Sequence, residues 1–261
     1  MKVFHHMLGL DTGGLAGVFV TGTDTGVGKT WVAAALARLL VRRGLLVRPR
    51  KPVESGCATG EDGLLPQDAA VLCEAACSTE SLEQICAYPL RAALSPERAA
   101  ALEGRTLMLD QLVAGCRSGV STGDFLLVEG AGGLLSPVAA GITNADLAAA
   151  LRLPVLVVAA DRLGVINHTL LAVEAVHRRE LPLAGVVLNQ AVPVTDHLMD
   201  NAADLARWLG RPVELVLHRP GHQAPAWMDI APFLQDLADR LAAAHGAREA
   251  VQSNAKREVR E

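Results

Sequence analysis

Membrane-length apolar runs, an excess of basic residues, paired cysteines and low-complexity linkers are all missing from this chain of 261 residues. No apolar run is as long as a membrane span without meeting a charge or a helix breaker, so no spanning helix is expected. The N-terminus does not carry a signal peptide's basic and apolar regions in sequence, and the expected location is cytoplasmic. Lys and Arg number 24 against 28 Asp and Glu, a formal net charge of −4. That balance carries no electrostatic footprint for nucleic acid or an anionic membrane surface, so neither is expected as a partner. Cys57, Cys73, Cys77, Cys86 and Cys116 form no C-x-x-C pair, and their odd count argues against a disulfide framework. Cys73 and Cys77 could share a helix face, but with no His or second Cys pair nearby buried thiols are expected there rather than a metal site.

What is present is core-forming material and one dense motif. With 51% hydrophobic residues the chain can bury the core of a single large domain. That domain is expected over residues 17–245, between a disordered leader at 1–16 and a polar, frayed tail at 246–261. Val18-Phe19-Val20-Thr21 is a strand-forming run, Gly22-Thr23-Asp24-Thr25-Gly26-Val27-Gly28 is rich in glycine, and Lys29-Thr30 opens an Ala- and Leu-rich helix. Strand, loop and helix thus follow in the order a phosphate cradle needs. Gly22, Gly26 and Gly28 let backbone N–H groups wrap a polyphosphate, and the helix start adds oriented donors and a positive dipole end. Lys29 offers charge to the outer phosphates and Thr30 a hydroxyl to Mg²⁺. Thr23 stands where the first glycine of the common G-x-x-x-x-G-K-[ST] pattern would fall, so the loop is a longer variant. The stretch from Gly22 to Thr30 is read as a nucleoside-triphosphate site.

Elsewhere strands alternate with helices. Strands are expected over 45–51, 124–129, 154–160, 184–189 and 213–217. Helices are expected over 31–43, from about Gln67, after Ser95-Pro96, over 107–116 and 144–152, after 161–168, over 198–209 and over 232–244. The strands are apolar throughout rather than at every second residue. This pattern predicts an α/β fold: a doubly wound, mostly parallel sheet with helices on both faces. In such a sheet the C-terminal strand ends open on one crevice, so Lys51, Ser55 and Glu129 are expected to share the space beside the phosphate loop. Glu129, at the tip of a central strand and followed by Gly130-Ala131-Gly132-Gly133, is placed to anchor Mg²⁺. Asp68, taken by itself, is a charge in the first turn of a helix.

With these segments in place, the chain resembles the dethiobiotin synthetase family, ATP-dependent ligases of biotin biosynthesis. The resemblance rests on Thr21 to Thr30, on Lys51-Pro52-Val53 with Ser55-Gly56, on Val128 to Leu134, and on Arg162-Leu163-Gly164-Val165-Ile166-Asn167-His168. These motifs occur in the family's order over residues 18–189. The resemblance implies a reaction that closes a cyclic urea on 7,8-diaminononanoate from CO₂, with ATP as co-substrate and Mg²⁺ as cofactor. It implies Lys29 and Lys51 as catalytic residues flanking a carbamate and the γ-phosphate, and Thr30, Asp68 and Glu129 as metal ligands. Thr25, Lys51, Ser55 and Gly132 would bind the substrate, and Asn189 would contact the adenine. Gly164, Val165, Ile166 and Asn167 would hold the substrate carboxylate of a second subunit, which implies a homodimer.

The chain also departs from the family's pattern. Gly26 stands where many members have Glu, Glu97 replaces a common His after Ser95-Pro96, and no Gly-x-Ile-Pro stretch is recognisable around Pro212 to Leu217. Two other readings compete. One is an amide-forming ligase of the cobyrinic acid diamide synthase type, whose additional glutaminase domain is not expected within these 261 residues. The other is a nucleotide-switched ATPase of the ParA and MinD kind, which carries a Lys early in the loop where this chain has Asp24.

Overall fold

The computed structural model describes residues 16–60, 63–193, 198–218, 225 and 227–258. Alternation along the central strand explains why the core has two layers. In β1 (Gly17–Gly22) Val18 and Val20 face one side and Phe19 the other, and none of the three has exposed surface. Both faces must therefore be covered.

The chain covers them by winding back and forth. After β1 come α1 (Lys29–Arg42), β2 (Val47–Arg50), β3 (Val53–Ser55) and an exposed antiparallel hairpin of β4 (Ala58–Gly60) and β5 (Gly63–Leu65). Next are α2 (Gln67–Ala75), α3 (Leu82–Ile85), β6 (Tyr88–Leu90), α4 (Pro96–Leu102) and α5 (Leu109–Arg117). The second half runs β7 (Phe125–Gly133), β8 (Pro137–Ala139), β9 (Ile142–Thr143), α6 (Asn144–Leu151), β10 (Val155–Ala160) and α7 (Val165–Arg178). It ends with β11 (Leu183–Asn189), α8 (Asn201–Leu209), β12 (Glu214–Val216), α9 (Trp227–Ile230), a 3-10 turn and α10 (Gln235–Glu258).

Six strands form the main sheet in the order β12-β11-β10-β1-β7-β2, every neighbouring pair parallel. Val32, Leu36 and Leu40 of α1, Leu72 of α2 and Leu237 of α10 pack on the Val18 and Val20 face. Leu112 of α5, Leu147 of α6, Val173 of α7 and Leu205 of α8 pack on the Phe19 face. Each such side chain contributes on the order of 1.5–3 kcal/mol when fully buried. The doubly wound parallel sheet expected from the strand composition is present. Among the described residues no helix is long and apolar enough to cross a membrane.

The structure differs from expectation in three places. First, the last helix runs on to Glu258, whereas the periodic pattern ends near Ala244 and a frayed tail was expected from residue 246. Ala247, Arg248, Glu249 and Ala250 are strong helix formers, and a polar face does not end a helix. Second, β7 continues past Glu129 through the glycines. Third, β3, β6, α3 and the strands of the antiparallel pairs β4–β5 and β8–β9 have four residues or fewer each and leave no periodic trace. Of the expected leader, only Ala16 lies within the described residues.

Candidate active site

The phosphate loop sits where the sheet's connections diverge, between β10 and β7 on either side of β1. Its glycines are needed for distinct reasons. A Cβ on Gly22 would lie 2.8 Å from both the Asp24 carbonyl and the Val27 side chain. At Gly28 it would lie 2.1 Å from Nδ2 of Asn189, on a backbone with φ 95°. Gly26 has open space around it and needs glycine only for its φ of 72°. The Thr23 N–H donates to the Val158 carbonyl at 2.9 Å, and the Asp24 side chain accepts the Thr25 N–H at 2.7 Å. Lys29 Nζ donates to the Asp24 carbonyl at 2.9 Å.

Beside the loop lies a cavity of about 650 Å³. Lys29, Thr30, Lys51, Ser55, Asp68 and Glu129 all line it, as do Thr25, Gly26, Gly28 and Gly132. Lys51 follows directly on β2 and reaches between two carboxylates: its Nζ lies 2.6 Å from Glu129 Oε1 and 2.8 Å from Asp68 Oδ2. The Thr30 hydroxyl donates to the same Glu129 oxygen at 2.9 Å. Glu129 Oε2, with no exposed surface, has no hydrogen-bond partner. Burial works to lower the Lys51 pKa, but Glu129 and Asp68 outweigh it and hold the ammonium above the usual lysine range. Lys29, where burial dominates, is held below that range. Burial also acts on Asp68, yet Lys51 pulls it below the usual carboxylate range, while burial leaves Glu129 above it. Burial likewise raises Glu54, which lines the cavity as well. Three acids against two lysines leave this crevice short of positive charge.

The strand after Glu129 is bent by a register shift between Val20 and Gly22. Buried Asn144 secures the bend: its Nδ2 donates to the Ala131 and Gly133 carbonyls, each at 2.7 Å, and its Oδ1 accepts the Ala131 N–H at 3.2 Å. A Cβ on Gly130 would lie 2.5 Å from that Asn144 oxygen. Gly130 is thus small for internal packing, whereas Gly132, at φ 74°, borders the cavity.

Asn189, at the end of β11, donates from Nδ2 to the Val27 carbonyl at 3.0 Å and so braces the phosphate loop from beneath. Gly164, Val165, Ile166 and Asn167 lie outside this cavity, at the start of α7. Of these Val165 is buried, and Gly164 and Asn167 are exposed. Arg162 just before them lies 3.8 Å from Asp24, an exposed pair of little energetic weight. Glu97 does not enter the cavity; its carboxylate accepts the Gly141 N–H at 2.9 Å. Sequence reasoning missed Glu54, Asn144 and Ser136, a cavity-lining residue whose hydroxyl accepts the Gly133 N–H at 2.8 Å. Glu54 stands three residues after Lys51, between Val53 and Ser55, and no local pattern marks it.

Comparison with known proteins identifies the family. Residues 16–220 match the family described as an AAA domain. The ATP-dependent dethiobiotin synthetase BioD of Anaeromyxobacter dehalogenans is 48% identical over 231 residues, spanning 88% of this chain and 98% of that protein. The chain belongs to the ATP-dependent dethiobiotin synthetase family. The BioD of Cellvibrio japonicus, another dethiobiotin synthetase, is 42% identical over 220 residues, 83% of this chain and 96% of its own. Family membership makes the chain an ATP-using ligase. Solved structures also align: MinD of Pyrococcus horikoshii at a TM-score of 0.52 and 15% identity, covering 86% of this chain and 93% of that one. A ParA family ATPase from Chlorobium tepidum aligns at a TM-score of 0.50 and 12% identity, covering 88% and 98%. With this chain these two share the fold alone.

Proposed function

We propose that this chain forms the cyclic urea of dethiobiotin from 7,8-diaminononanoate, CO₂ and ATP in the cytoplasm, with no nucleic acid or membrane as partner. The observation that carries the reading is Lys51 Nζ, buried and held 2.6 Å from Glu129 and 2.8 Å from Asp68 on the rim of the phosphate-loop cavity. One substrate amine adds to CO₂ and loses a proton, giving a carbamate. A carbamate oxygen then attacks the γ-phosphorus of ATP, and the bond to ADP breaks. The second amine attacks the carbon of the mixed anhydride, phosphate leaves, and the ring closes with loss of a proton. Phosphoryl transfer of this kind calls for positioning and charge neutralisation. Lys29 holds the outer phosphates, and Lys51, released from its carboxylates, bears on the carbamate and γ-phosphate oxygens. Thr25 and Ser55 offer hydroxyls to the substrate, and Gly132 lets it approach the backbone.

Thr30, Asp68 and Glu129 fit Mg²⁺. Glu129 Oε2 is buried without a partner, the donors are hard oxygens, and the crevice carries surplus negative charge. Among the described residues no group of three His, Cys, Asp or Glu side chains gathers around a metal position. Two carboxylates and a hydroxyl would leave room for phosphate oxygens and water. When bound, Mg²⁺ neutralises charge on the β- and γ-phosphates.

Gly164, Val165, Ile166 and Asn167 are assigned to a partner's substrate carboxylate in a homodimer. In support, they stand at the start of α7, whose first turn has no side-chain cap, and outside their own chain's cavity. Asn189 is assigned to the adenine in addition to bracing the loop. ATP hydrolysis stimulated by 7,8-diaminononanoate with bicarbonate, and not by DNA or lipid vesicles, is the expected result. Stimulation by DNA or vesicles alone would return the chain to the nucleotide-switch reading. Mixing inactive Asn167→Ala with inactive Lys51→Ala should restore activity in hybrid dimers. No recovery under verified subunit exchange removes the shared site.

A further inference from the structure

Helix α2 carries Asp68 into the crevice, yet nothing in its own approach caps it. Pro66 precedes it and offers no side-chain acceptor, so its first N–H groups need partners from elsewhere. They find them on β3. Glu54 Oε1 accepts the Asp68 N–H at 3.0 Å and Glu54 Oε2 accepts the Ala69 N–H at 3.1 Å. Bonds to an ionised acceptor are about twice as strong as neutral ones. Glu54 itself is only 7% exposed. The covalent path from Glu54 to Asp68 runs through the solvent-exposed hairpin of β4 and β5, which packs too little to fix the helix start. Further along, Leu72 joins the α1 face and holds the helix body. In the first turn the Ala69 side chain packs with Ile85 and Cys86, while Glu54 accepts the Asp68 and Ala69 N–H groups and so fixes the backbone at Asp68.

We propose that Glu54 is a positioning residue, whose carboxylate clamps the first turn of α2 to β3, the strand that follows Lys51 and ends in Ser55, and thereby sets where the Asp68 carboxylate stands. This rests on the assignment of Asp68 as a metal ligand. A side chain displaced by about 1 Å in such a site costs on the order of a hundredfold in rate. Glu54 touches neither metal nor substrate in this account and acts through Asp68 alone.

The test is Mn²⁺ binding to the full chain loaded with ADP, read as loss of the free-ion EPR signal, with ADP affinity measured separately without metal. Asp68→Asn and Glu54→Ala are each expected to weaken Mn²⁺ binding about tenfold and to leave metal-free ADP affinity within about threefold. Glu54→Gln, which keeps the shape and one acceptor, is expected to fall between them and wild type, and carries the same reading if Glu54→Ala does not fold. In the double variant Glu54→Ala should add nothing to Asp68→Asn. Wild-type Mn²⁺ affinity in both Glu54 variants, with Asp68→Asn weakened, overturns the role of Glu54 alone. A further tenfold loss in the double variant overturns it too. Unchanged Mn²⁺ binding in Asp68→Asn overturns the metal assignment beneath it.

Discussion

Arg50 and Lys51 are consecutive, charged and buried, and they serve opposite ends. Arg50, with no exposed surface, donates from Nη1 and Nη2 to Glu80 at 3.0 and 2.7 Å and to the carbonyls of Pro49 and Ser118 at 2.7 and 2.6 Å. Both terminal nitrogens are fully engaged, only Nε lacks a partner, and the residue does not border the cavity. Lys51 also sits between acceptors, but one of its partners, Glu129, keeps an unpaired oxygen, and the group opens on the phosphate-loop space. Burial and ion pairing alone therefore do not mark a functional charge. An incomplete partner set beside a cavity does, because the remaining acceptor is satisfied only when a ligand arrives.

The comparison is sharpest in kinetics. Lys51→Ala is expected to lower turnover by about a thousandfold or more, with nucleotide affinity within about threefold, since it acts on the reacting anion. Steady-state rates and nucleotide titration separate the two, and near-wild-type turnover would remove Lys51 from the mechanism. Glu80→Ala should do the reverse. Leaving Arg50 buried without its carboxylate costs about 3–5 kcal/mol, read by urea denaturation, while kcat of the folded fraction holds. If Glu80→Ala instead impaired kcat at full stability, the two clusters would not be distinct.

Within the phosphate loop a smaller contrast applies. Gly28→Ala meets Asn189 as well as a positive φ, so nucleotide binding should be lost. Gly26→Ala has open space and should cost only about 1 kcal/mol of stability. Equal effects at both positions would mean that Asn189 does not brace the loop. The smallest effect is expected at Glu97→Ala, which gives up one exposed hydrogen bond to Gly141 and should leave kcat and KM unchanged.

Legibility followed the same division. The phosphate loop could be read because its groups are backbone N–H donors and two side chains within nine consecutive residues. Lys51 could be read because it closes the strand-forming run from Leu45 and is followed by a Pro- and Gly-containing turn, and Glu129 because it follows the apolar run Phe125 to Val128 and precedes four small residues. Asp68 was visible only through resemblance, since a first-turn acid is common on any helix. Glu54 and Asn144 escaped because their work is to hold other residues' backbone, and no local pattern announces a partner elsewhere in the chain. The short strands β3 and β6 escaped for want of length.

The amino-acid order by itself determined the phosphate cradle, the alternation of strands and helices, and the burial of the sheet on both faces, since all three depend on near neighbours and on side-chain period. Tertiary structure decided that Lys51 and Glu129, 78 residues apart, meet within 2.6 Å, that Glu54 caps α2, and that the start of α7 stays out of its own chain's cavity. Those outcomes depend on strand order, which is set by how the two faces pack at long range and not by any stretch of sequence read alone.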